Sequence, residues 1–231
     1  MRPTLVPIAP AAKSRPRLSR EIVLEAALAI AESDGLEAVG LRAVAGRLGV
    51  TAMSLYRYVA SRDELVDAVV EQLLHAIDDG RTWPRRWDSV LRTVGVRVHE
   101  LLVTHPAVYE AARRRTLTSP AALVPMERLL QAFSREGLSA QLAIDAYSAV
   151  LLHGLGHASL IHGRTSTRAA EGRTADEERE RVTTALSDLP AGDFPHVVSQ
   201  AGPLGGLHDE AVFLRGLDRI VEGFRVAAQS T

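Results

Sequence analysis

Apolar residues recur every three or four positions along most of the 231-residue chain, and no stretch alternates with a period of two. This spacing is typical of amphipathic helices rather than strands, so an all-α fold is predicted. The first predicted helix begins after the capping residue Ser19 and ends at Asp34-Gly35. Glu21 and Glu25 lie near its positive end, which favours this assignment.

Two short helices joined by a tight glycine turn are predicted next. The second helix runs from about Leu41 to Leu48 and ends at Gly49, and the third is capped by Thr51 and carries residues 54–58. Such a pair forms a helix-turn-helix. A longer fourth helix is predicted after Ser61, because a glutamate follows three residues later in a capping-box pattern.

The character of the chain changes after about residue 80. The stretch "DDGRTWPRRWDS" is predicted to be a turn-rich hinge, with a cation–π cluster at "WPRRW" as the alternative. Helices are then predicted at about 87–102, 106–115, 121–136, 139–162 and 208–228. Residues 163–181 are predicted to be a solvated loop leading into a short helix, and 189–206 an irregular connection. The predicted parts are a flexible basic arm (1–17), a three-helix head joined by its long fourth helix (18–79) and a larger helical body (80–231).

Charge is near balance overall, at −1, but it is unevenly distributed. Residues 1–20 contain five basic residues and no acid, and residues 40–62 contain four arginines and no acid. Two such stretches indicate a localised anionic partner. An ordinary solvated face fits the charge equally well.

The tripeptide Tyr56-Arg57-Tyr58 fits a phosphate-binding role at the end of a reading helix. A helix fits the DNA major groove, and tyrosine hydroxyls and guanidinium groups bind phosphates. The alternative is that the two tyrosines close the small core of the head, and we expect one ring to do so in part. The surface of the third helix is predicted to comprise Thr51, Ala52, Met53, Ser54, Tyr56, Arg57 and Tyr58.

Several other functions receive little support from the sequence. Without cysteine the chain has no disulfide, thiolate metal site or cysteine nucleophile. No glycine-rich phosphate loop, Gly-x-Ser-x-Gly elbow or paired carboxylates in an apolar setting are seen, so neither an enzyme nor a cofactor is predicted. The apolar run 143–161 carries Asp145 and two histidines, which predicts a buried helix rather than a membrane span. Prolines interrupt the first 20 residues, so no signal peptide is predicted and a cytoplasmic location is expected.

His153 and His157 lie four residues apart, and His162 follows. This spacing can hold a metal ion, but the intervening Gly154, Leu155 and Gly156 supply no general base. Helix packing at a dimer seam is the preferred interpretation, and a position at the mouth of a pocket is a further possibility.

The segment "LSREIVLEAALAIAESDGLEAVGLRAVAGRLGVTAMSLYRYVASRDELVDAV" resembles the tetracycline-repressor (TetR) family of bacterial transcription regulators. The Leu-Gly-Val turn, the pattern Leu55-Tyr56-x-x-Val59 and the downstream Leu65 occur together at the spacing of that family. Two later segments, "LSAQLAIDAYSAVLLHGLGH" and "FLRGLDRIVEGFRV", resemble the two helices through which the tetracycline repressor's own subclass dimerises.

The resemblance implies a homodimer formed through helices at about 139–162 and 208–228, bound to double-stranded DNA at an inverted-repeat operator. It also implies a pocket in each body for a small-molecule inducer, whose binding tilts the fourth helix. Arg42 is expected on phosphate or guanine, and Tyr56, Tyr58 and Arg62 on phosphate. Ala52 and Met53 stand where the tetracycline repressor has Gln-Pro, so an apolar contact to a thymine methyl and a different operator are expected. The DNA contacts carried over by position are Arg42, Thr51, Ala52, Met53, Ser54, Tyr56, Arg57, Tyr58 and Arg62.

The ligand is expected to differ from tetracycline. Three tetracycline-contacting positions, occupied in that repressor by His, Asn and Phe, align with Asp78, Val94 and Val98. The predicted pocket residues are Val94, Val98, His99, Tyr109, Phe133, Tyr147 and His153. The predicted function is therefore a ligand-responsive DNA-binding regulator, most simply a repressor. The alternatives are an activator, a regulator without a ligand, or a helical small-molecule-binding protein or enzyme with a vestigial head.

Overall fold

The head consists of four helices around a small aliphatic core. The computed structural model describes residues 18–78, 80–114 and 116–229, so the predicted basic arm at 1–17 lies outside the described residues. The helices of the head are α1 (Arg20–Asp34), α2 (Leu41–Leu48), α3 (Ala52–Leu55) and α4 (Arg62–Leu74), with 3-10 turns at Leu36–Ala38 and His75–Asp78. The fully buried side chains at its centre are Val23, Ala27, Val39, Val44, Leu55, Val59 and Leu65.

The predicted caps at Ser19 and Ser61 and the glycine turn are present, whereas Thr51 precedes α3 without a side-chain capping bond. The Ser19 hydroxyl accepts a hydrogen bond from the amide of Ile22 at 3.3 Å, and α2 ends at Gly49 with φ of +67°. This left-handed conformation strains residues with a Cβ, so the sharp turn into α3 favours glycine. Ser61 caps α4 by accepting from the amide of Glu64 at 3.1 Å. The Glu64 carboxylate, however, accepts from the amide of Ala60 at 2.7 Å, which completes the capping pattern one residue earlier than predicted.

The third helix is shorter than predicted. It ends at Leu55, and Tyr56, Arg57 and Tyr58 form a turn. The carbonyl of Leu55 accepts from the amides of both Tyr58 and Val59, at 2.8 and 3.1 Å, and the Val59 side chain is 1% exposed. The turn therefore brings Val59 into the core, and an extended α3 is replaced by a compact link to α4.

The body is built around one central helix. Its helices are α5 (Trp87–Thr104), α6 (Pro106–Arg114), α7 (Pro120–Arg135), α8 (Ala140–Glu171), α9 (Ala175–Ser187), α10 (Pro195–Ser199), α11 (Ala201–Gly205) and α12 (Glu210–Gln229). α5 contacts α6, α7, α8 and α12, and most of its apolar residues are buried. Gly95 allows α12 to come close, because a Cβ there would lie 2.5 Å from Cδ1 of Leu217. No helix in the described ranges is both long and apolar enough to cross a bilayer.

Two predictions for the polar segments of the body were wrong. Residues 163–171, predicted to be loop, continue α8 as a helix that ends before Gly172, whose φ is +66°. Within this extension the hydroxyls of Ser166 and Thr167 each donate to the carbonyl four residues earlier at 3.1 Å, so the polar side chains have hydrogen-bond partners inside the helix. The irregular connection at 189–206 contains the short helices α10 and α11. The short helix expected after the loop is α9, and Thr174 and Glu177 cap it reciprocally.

Asp88 joins the first turn of α5 to α12. Its side chain is 5% exposed, and its carboxylate accepts from Arg86 and from Arg225, each at 3.0 Å, and from the amide of Ser89 at 2.7 Å. The hydrogen bond from Arg86 is the largest cause holding the pKa of Asp88 well below its usual range, and the bonds from Arg225 and the amide add to it.

We predict that Asp88→Asn lowers the free energy of unfolding by about 2 kcal/mol at pH 7, since hydrogen bonds to a charged group are lost. A depressed pKa stabilises the fold above the unfolded-state value of about 4, and this contribution disappears as the pH falls below it. The difference between the two proteins should therefore begin to shrink at about pH 5 and continue to shrink towards the lowered pKa of Asp88, as measured by urea denaturation. The control is Asp218→Asn, because Asp218 pairs with Arg92 but is 55% exposed. A difference for Asp88→Asn that stays constant with pH would contradict this account.

Candidate DNA-binding surface and ligand pocket

The exposed surface of α2, α3 and the following turn is cationic and aromatic. Arg42, Arg57 and Thr51 are exposed, and Met53 and Tyr56 expose 77% and 53% of their surface. Ala52 and Ser54 are half-buried. A large apolar side chain and an aromatic ring facing solvent cost free energy in an isolated head, so this surface has the character of a contact surface. The predicted contacts Arg42, Thr51, Met53, Tyr56 and Arg57 share it.

The two tyrosines have different environments. The Tyr58 hydroxyl donates to the carbonyl of Leu18 at 2.5 Å, and its ring is half-buried with the Arg57 guanidinium 4.8 Å from its centre. Tyr58 thus fastens the turn to the start of α1. The hydroxyl of Tyr56 makes no hydrogen bond to the residues that the structure describes and is open to solvent. Tyr56 is therefore the better placed of the two to bind a phosphate.

Arg62 is engaged within the head. Its Nε donates to the carbonyl of Val39 at 2.9 Å, and its Nη2 donates to the carbonyls of Glu37 and Leu36 at 3.2 and 3.3 Å. These bonds hold the segment between α1 and α2 against the start of α4. The predicted phosphate contact would require the guanidinium to leave at least some of these carbonyls.

A cavity of about 530 Å³ lies between the head and the body. Its walls come from the end of α4 with the following 3-10 turn, and from α5, α6, α7 and α8. Polar side chains are few: Tyr147 on one wall, and Arg113, Arg114 and Thr116 at the end of α6 and just beyond. The apolar lining consists of Leu74, Ile77, Val98, Leu101, Leu102, Val108, Ala112, Leu117, Ala122, Leu123, Pro125, Met126, Leu151 and Leu155.

Of the seven predicted pocket residues, Val98 and Tyr147 line this cavity. Val94 is fully buried in the core, and Phe133 is fully buried with its ring centre 4.8 Å from that of Trp87. Tyr109 packs beside His162, with ring centres 4.8 Å apart. These three side chains serve the core because their helices turn them away from the cavity.

His99 and His153 belong instead to a buried cluster between α5, α8 and α12. Nε2 of His99 lies 2.8 Å from Nδ1 of His157, and Nε2 of His153 lies 3.0 Å from the carbonyl oxygen of Phe213. The Phe213 ring stacks on His99 and His153, with centres 3.6 and 4.8 Å apart. Burial, followed by the nearby His157, lowers the pKa of His99 to about 4, so its imidazole is neutral at pH 7. These histidines pack against α12 of the same chain. The described residues contain no group of three potential metal ligands.

Glu37 connects the cavity wall to the head and was missed in the sequence. Its carboxylate forms ion pairs with Arg114, at the end of α6, and with Arg62 at 3.4 Å. Arg114 also approaches Glu110, at 3.6 Å. The carboxylate and Arg114 are 77 positions apart, so no local pattern indicated their contact.

A helix-turn-helix head held on a helical body with an apolar cavity defines the class of ligand-binding transcription regulators. Residues 23–69 match the family described as "Bacterial regulatory proteins, tetR family", and residues 82–228 match "Tetracyclin repressor-like, C-terminal domain". The chain belongs to the TetR family and is a DNA-binding transcriptional regulator.

Relatives cover nearly the whole chain. The HTH-type transcriptional repressor DrrR1 of Streptomyces coeruleorubidus is 28% identical over 219 residues, which are 94% of this chain and 81% of DrrR1. The tetracycline repressor protein class D of Escherichia coli is 27% identical over 219 residues, covering 91% and 90% of the two chains. The crystal structure of Streptomyces coelicolor ActR in complex with actinorhodin is similar with a TM-score of 0.76 at 26% identity, over 92% of this chain and 98% of ActR.

We predict different effects of removing the two tyrosine hydroxyls. Tyr56→Phe should weaken DNA binding by a similar factor on every sequence, because phosphate contacts carry no base information. Its free energy of unfolding should be unchanged, since the hydroxyl has no partner in the described part of the chain. Tyr58→Phe should instead lower the free energy of unfolding by about 1 kcal/mol through loss of the bond to Leu18. Fluorescence anisotropy on several DNA sequences and urea denaturation measure the two effects. Loss at a single base pair in Tyr56→Phe would contradict the phosphate role.

Proposed function

We propose that the chain is a homodimeric repressor that leaves an inverted-repeat operator when a largely apolar molecule enters the cavity. The observation that carries this proposal is the position of the cavity. The end of α4, which belongs to the head, supplies Leu74 and the 3-10 turn supplies Ile77 as part of its wall. A molecule that fills the cavity therefore contacts the helix that packs on α1, which in turn packs on α2.

Exposed apolar residues on α8 and α12 support the proposed dimer. Ile144, Leu152 and Leu160 expose 41%, 68% and 46% of their surface at intervals of eight residues, and Val226 on α12 exposes 58%. Gly156 lies between the two later leucines, with nothing within 4 Å of the position of a Cβ. A second copy packed on this surface would bury these side chains and approach the α8 backbone at the glycine. Two heads would then meet successive major grooves.

The lining of the cavity defines the proposed ligand. No carboxylate and no histidine lines it within the described residues, so a cationic group or a metal chelate would be desolvated without compensation. The Tyr147 hydroxyl makes no hydrogen bond there, and burial raises its pKa, so it remains a donor at neutral pH. The proposed ligand is apolar over most of its surface and carries a hydrogen-bond acceptor. The ActR complex with actinorhodin supports an organic ligand for this fold.

Release from the operator follows from a shift of populations. The ligand must bind the DNA-free arrangement more tightly than the DNA-bound one, by about 5.5 kcal/mol for a change from 1:99 to 99:1. As a DNA-binding regulator of a bacterial family, the protein is proposed to act in the cytoplasm and not as an enzyme. The basic arm, outside the described residues, is proposed to contact phosphates or the minor groove.

The DNA-binding proposal is tested by selecting bound fragments from sheared genomic DNA of the source organism. We expect a short inverted repeat, bound with an affinity that falls steeply with salt while its preference over random DNA persists. Arg42→Ala should weaken this binding, because the exposed guanidinium lies at the start of α2. No enrichment over random fragments would favour the alternative, a small-molecule-binding protein with a vestigial head.

The ligand proposal is tested with a fluorescent dye and three decyl compounds that share one tail and differ in their head groups. The neutral dye N-phenyl-1-naphthylamine should fluoresce on entering the cavity, and decanol and decanoate should displace it more effectively than decylammonium. Tyr147→Phe should weaken decanol and decanoate about fivefold or more while leaving the dye unaffected, because only those two lose a hydrogen bond. The control is Tyr109→Phe, because Tyr109 packs in the core. Equal displacement by decylammonium, or no effect of Tyr147→Phe, would contradict the proposed ligand class.

A further inference from the structure

A second, polar groove lies where the linker between α4 and α5 faces α7. It has a volume of about 510 Å³, and we call it the hinge groove. Arg81 and Arg85 reach it from the linker. Arg128, Gln131 and Arg135 reach it from α7, where their spacing of three and four places them on one helix face. None of these five residues lines the apolar cavity.

The floor of the hinge groove is fixed by hydrogen bonds. The Asp78 carboxylate accepts from Nε1 of Trp83 at 2.5 Å and from Arg128 at 3.1 Å. The bond from Trp83 is the main cause that lowers the pKa of Asp78, so the carboxylate is ionised. The guanidinium of Arg97 lies 4.4 Å from the centre of the Trp83 ring and donates to the carbonyls of Ile77 and Thr82. The tryptophan predicted as part of a hinge is thus held in a cation–π contact, with arginines from outside the "WPRRW" segment.

Positive charge in the hinge groove exceeds negative charge. Four arginines line it against one lining carboxylate, Asp78. Arg81 also approaches Glu100 at 3.6 Å. Beside the lining residues, Glu127 accepts a hydrogen bond from Gln131 at 2.7 Å and the Arg97 guanidinium lies 4.4 Å from the centre of the Trp83 ring, so these two neighbouring charges offset each other. Arg85 and Arg135 form no ion pair within the part of the chain that the structure describes. Nε of Arg135 donates to the carbonyl of Gln131 at 3.2 Å, which leaves its two terminal nitrogens to bind an anion.

We propose that the hinge groove binds a small multivalent oxyanion, of the class of phosphorylated metabolites or polycarboxylates. Guanidinium groups bind phosphate and carboxylate through paired hydrogen bonds, and a concave site of one charge sign concentrates counter-ions. Arg85 and Arg135 hold the anion from opposite walls, and Arg81 and Arg128 add to the field. The site is distinct from the apolar cavity, but both touch the 3-10 turn after α4: Ile77 faces the cavity and Asp78 the groove.

The test is calorimetric titration of the full chain with pyrophosphate, in the absence of DNA and of divalent metals, with ionic strength held constant by sodium chloride. We expect saturable binding of one anion per chain, accompanied by a change in tryptophan emission. Trp83 lines the groove, whereas Trp87, the other tryptophan, is buried against Phe133. Citrate and a mononucleotide titrated in parallel distinguish the two sources of the anion: preference for citrate indicates a polycarboxylate, and preference for the phosphates a phosphorylated compound.

The combined variant Arg85→Ala with Arg135→Ala should weaken pyrophosphate binding about tenfold or more, because two charge-assisted contacts are lost. Both side chains are exposed, so the fold should persist. The control is Arg179→Ala with Arg181→Ala, which removes the same charge from exposed positions of α9, outside the groove and the proposed dimer surface, and should retain wild-type affinity. A non-saturable response, or equal weakening in both variants, would show general charge screening and overturn the proposal.

Discussion

The contact between α4 and the body is the constraint on which the action of this protein depends. α4 and its 3-10 extension pack against α6, α7 and α5, and α1 also meets α6. One helix thus serves both parts: Leu65 near the start of α4 completes the core of the head, and Leu74 at its end, with Ile77 in the 3-10 turn, closes one side of the cavity. An occupant larger than the cavity would displace Leu74 and Ile77 from their packing against the body, because closely packed walls leave no spare space. In the proposed mechanism this one region of packing links occupation of the cavity to the orientation of the DNA-binding surface.

The free energies of the individual contacts show which of them hold the head on the body. The ion pair of Glu37 with Arg114 joins head and body, but both side chains are more than half exposed, so it contributes about 1 kcal/mol or less. Burial of a single leucine or isoleucine side chain contributes about 1.5–3 kcal/mol. Leu73, Leu74 and Ile77 are each at most 6% exposed, so the apolar contacts dominate. The Glu37 ion pairs therefore add little to the attachment of the head, most of which comes from the aliphatic contacts.

Local features of the fold could be predicted from sequence, and long-range contacts could not. The capping serines at 19 and 61 and the glycine turn at 49 act on neighbouring residues, so their effect is visible in the sequence itself. The acceptor of the Tyr58 hydroxyl is 40 residues away, and His99 and His157 are 58 apart. Polar side chains on apolar helices indicated a pocket, yet only Tyr147 among the predicted polar and aromatic residues faces the cavity. The other rings pack against partners on helices whose relative positions cannot be predicted from the sequence.

Coupling between the cavity and the DNA-binding surface is tested most directly by linkage. The affinity of N-phenyl-1-naphthylamine for the protein should be measured with and without a saturating operator fragment. Coupling through α4 requires the operator to weaken dye binding by the same factor by which the dye weakens operator binding, because linkage is reciprocal. A dye affinity that is identical with and without the operator would show that cavity and reading surface are independent, and would contradict the account.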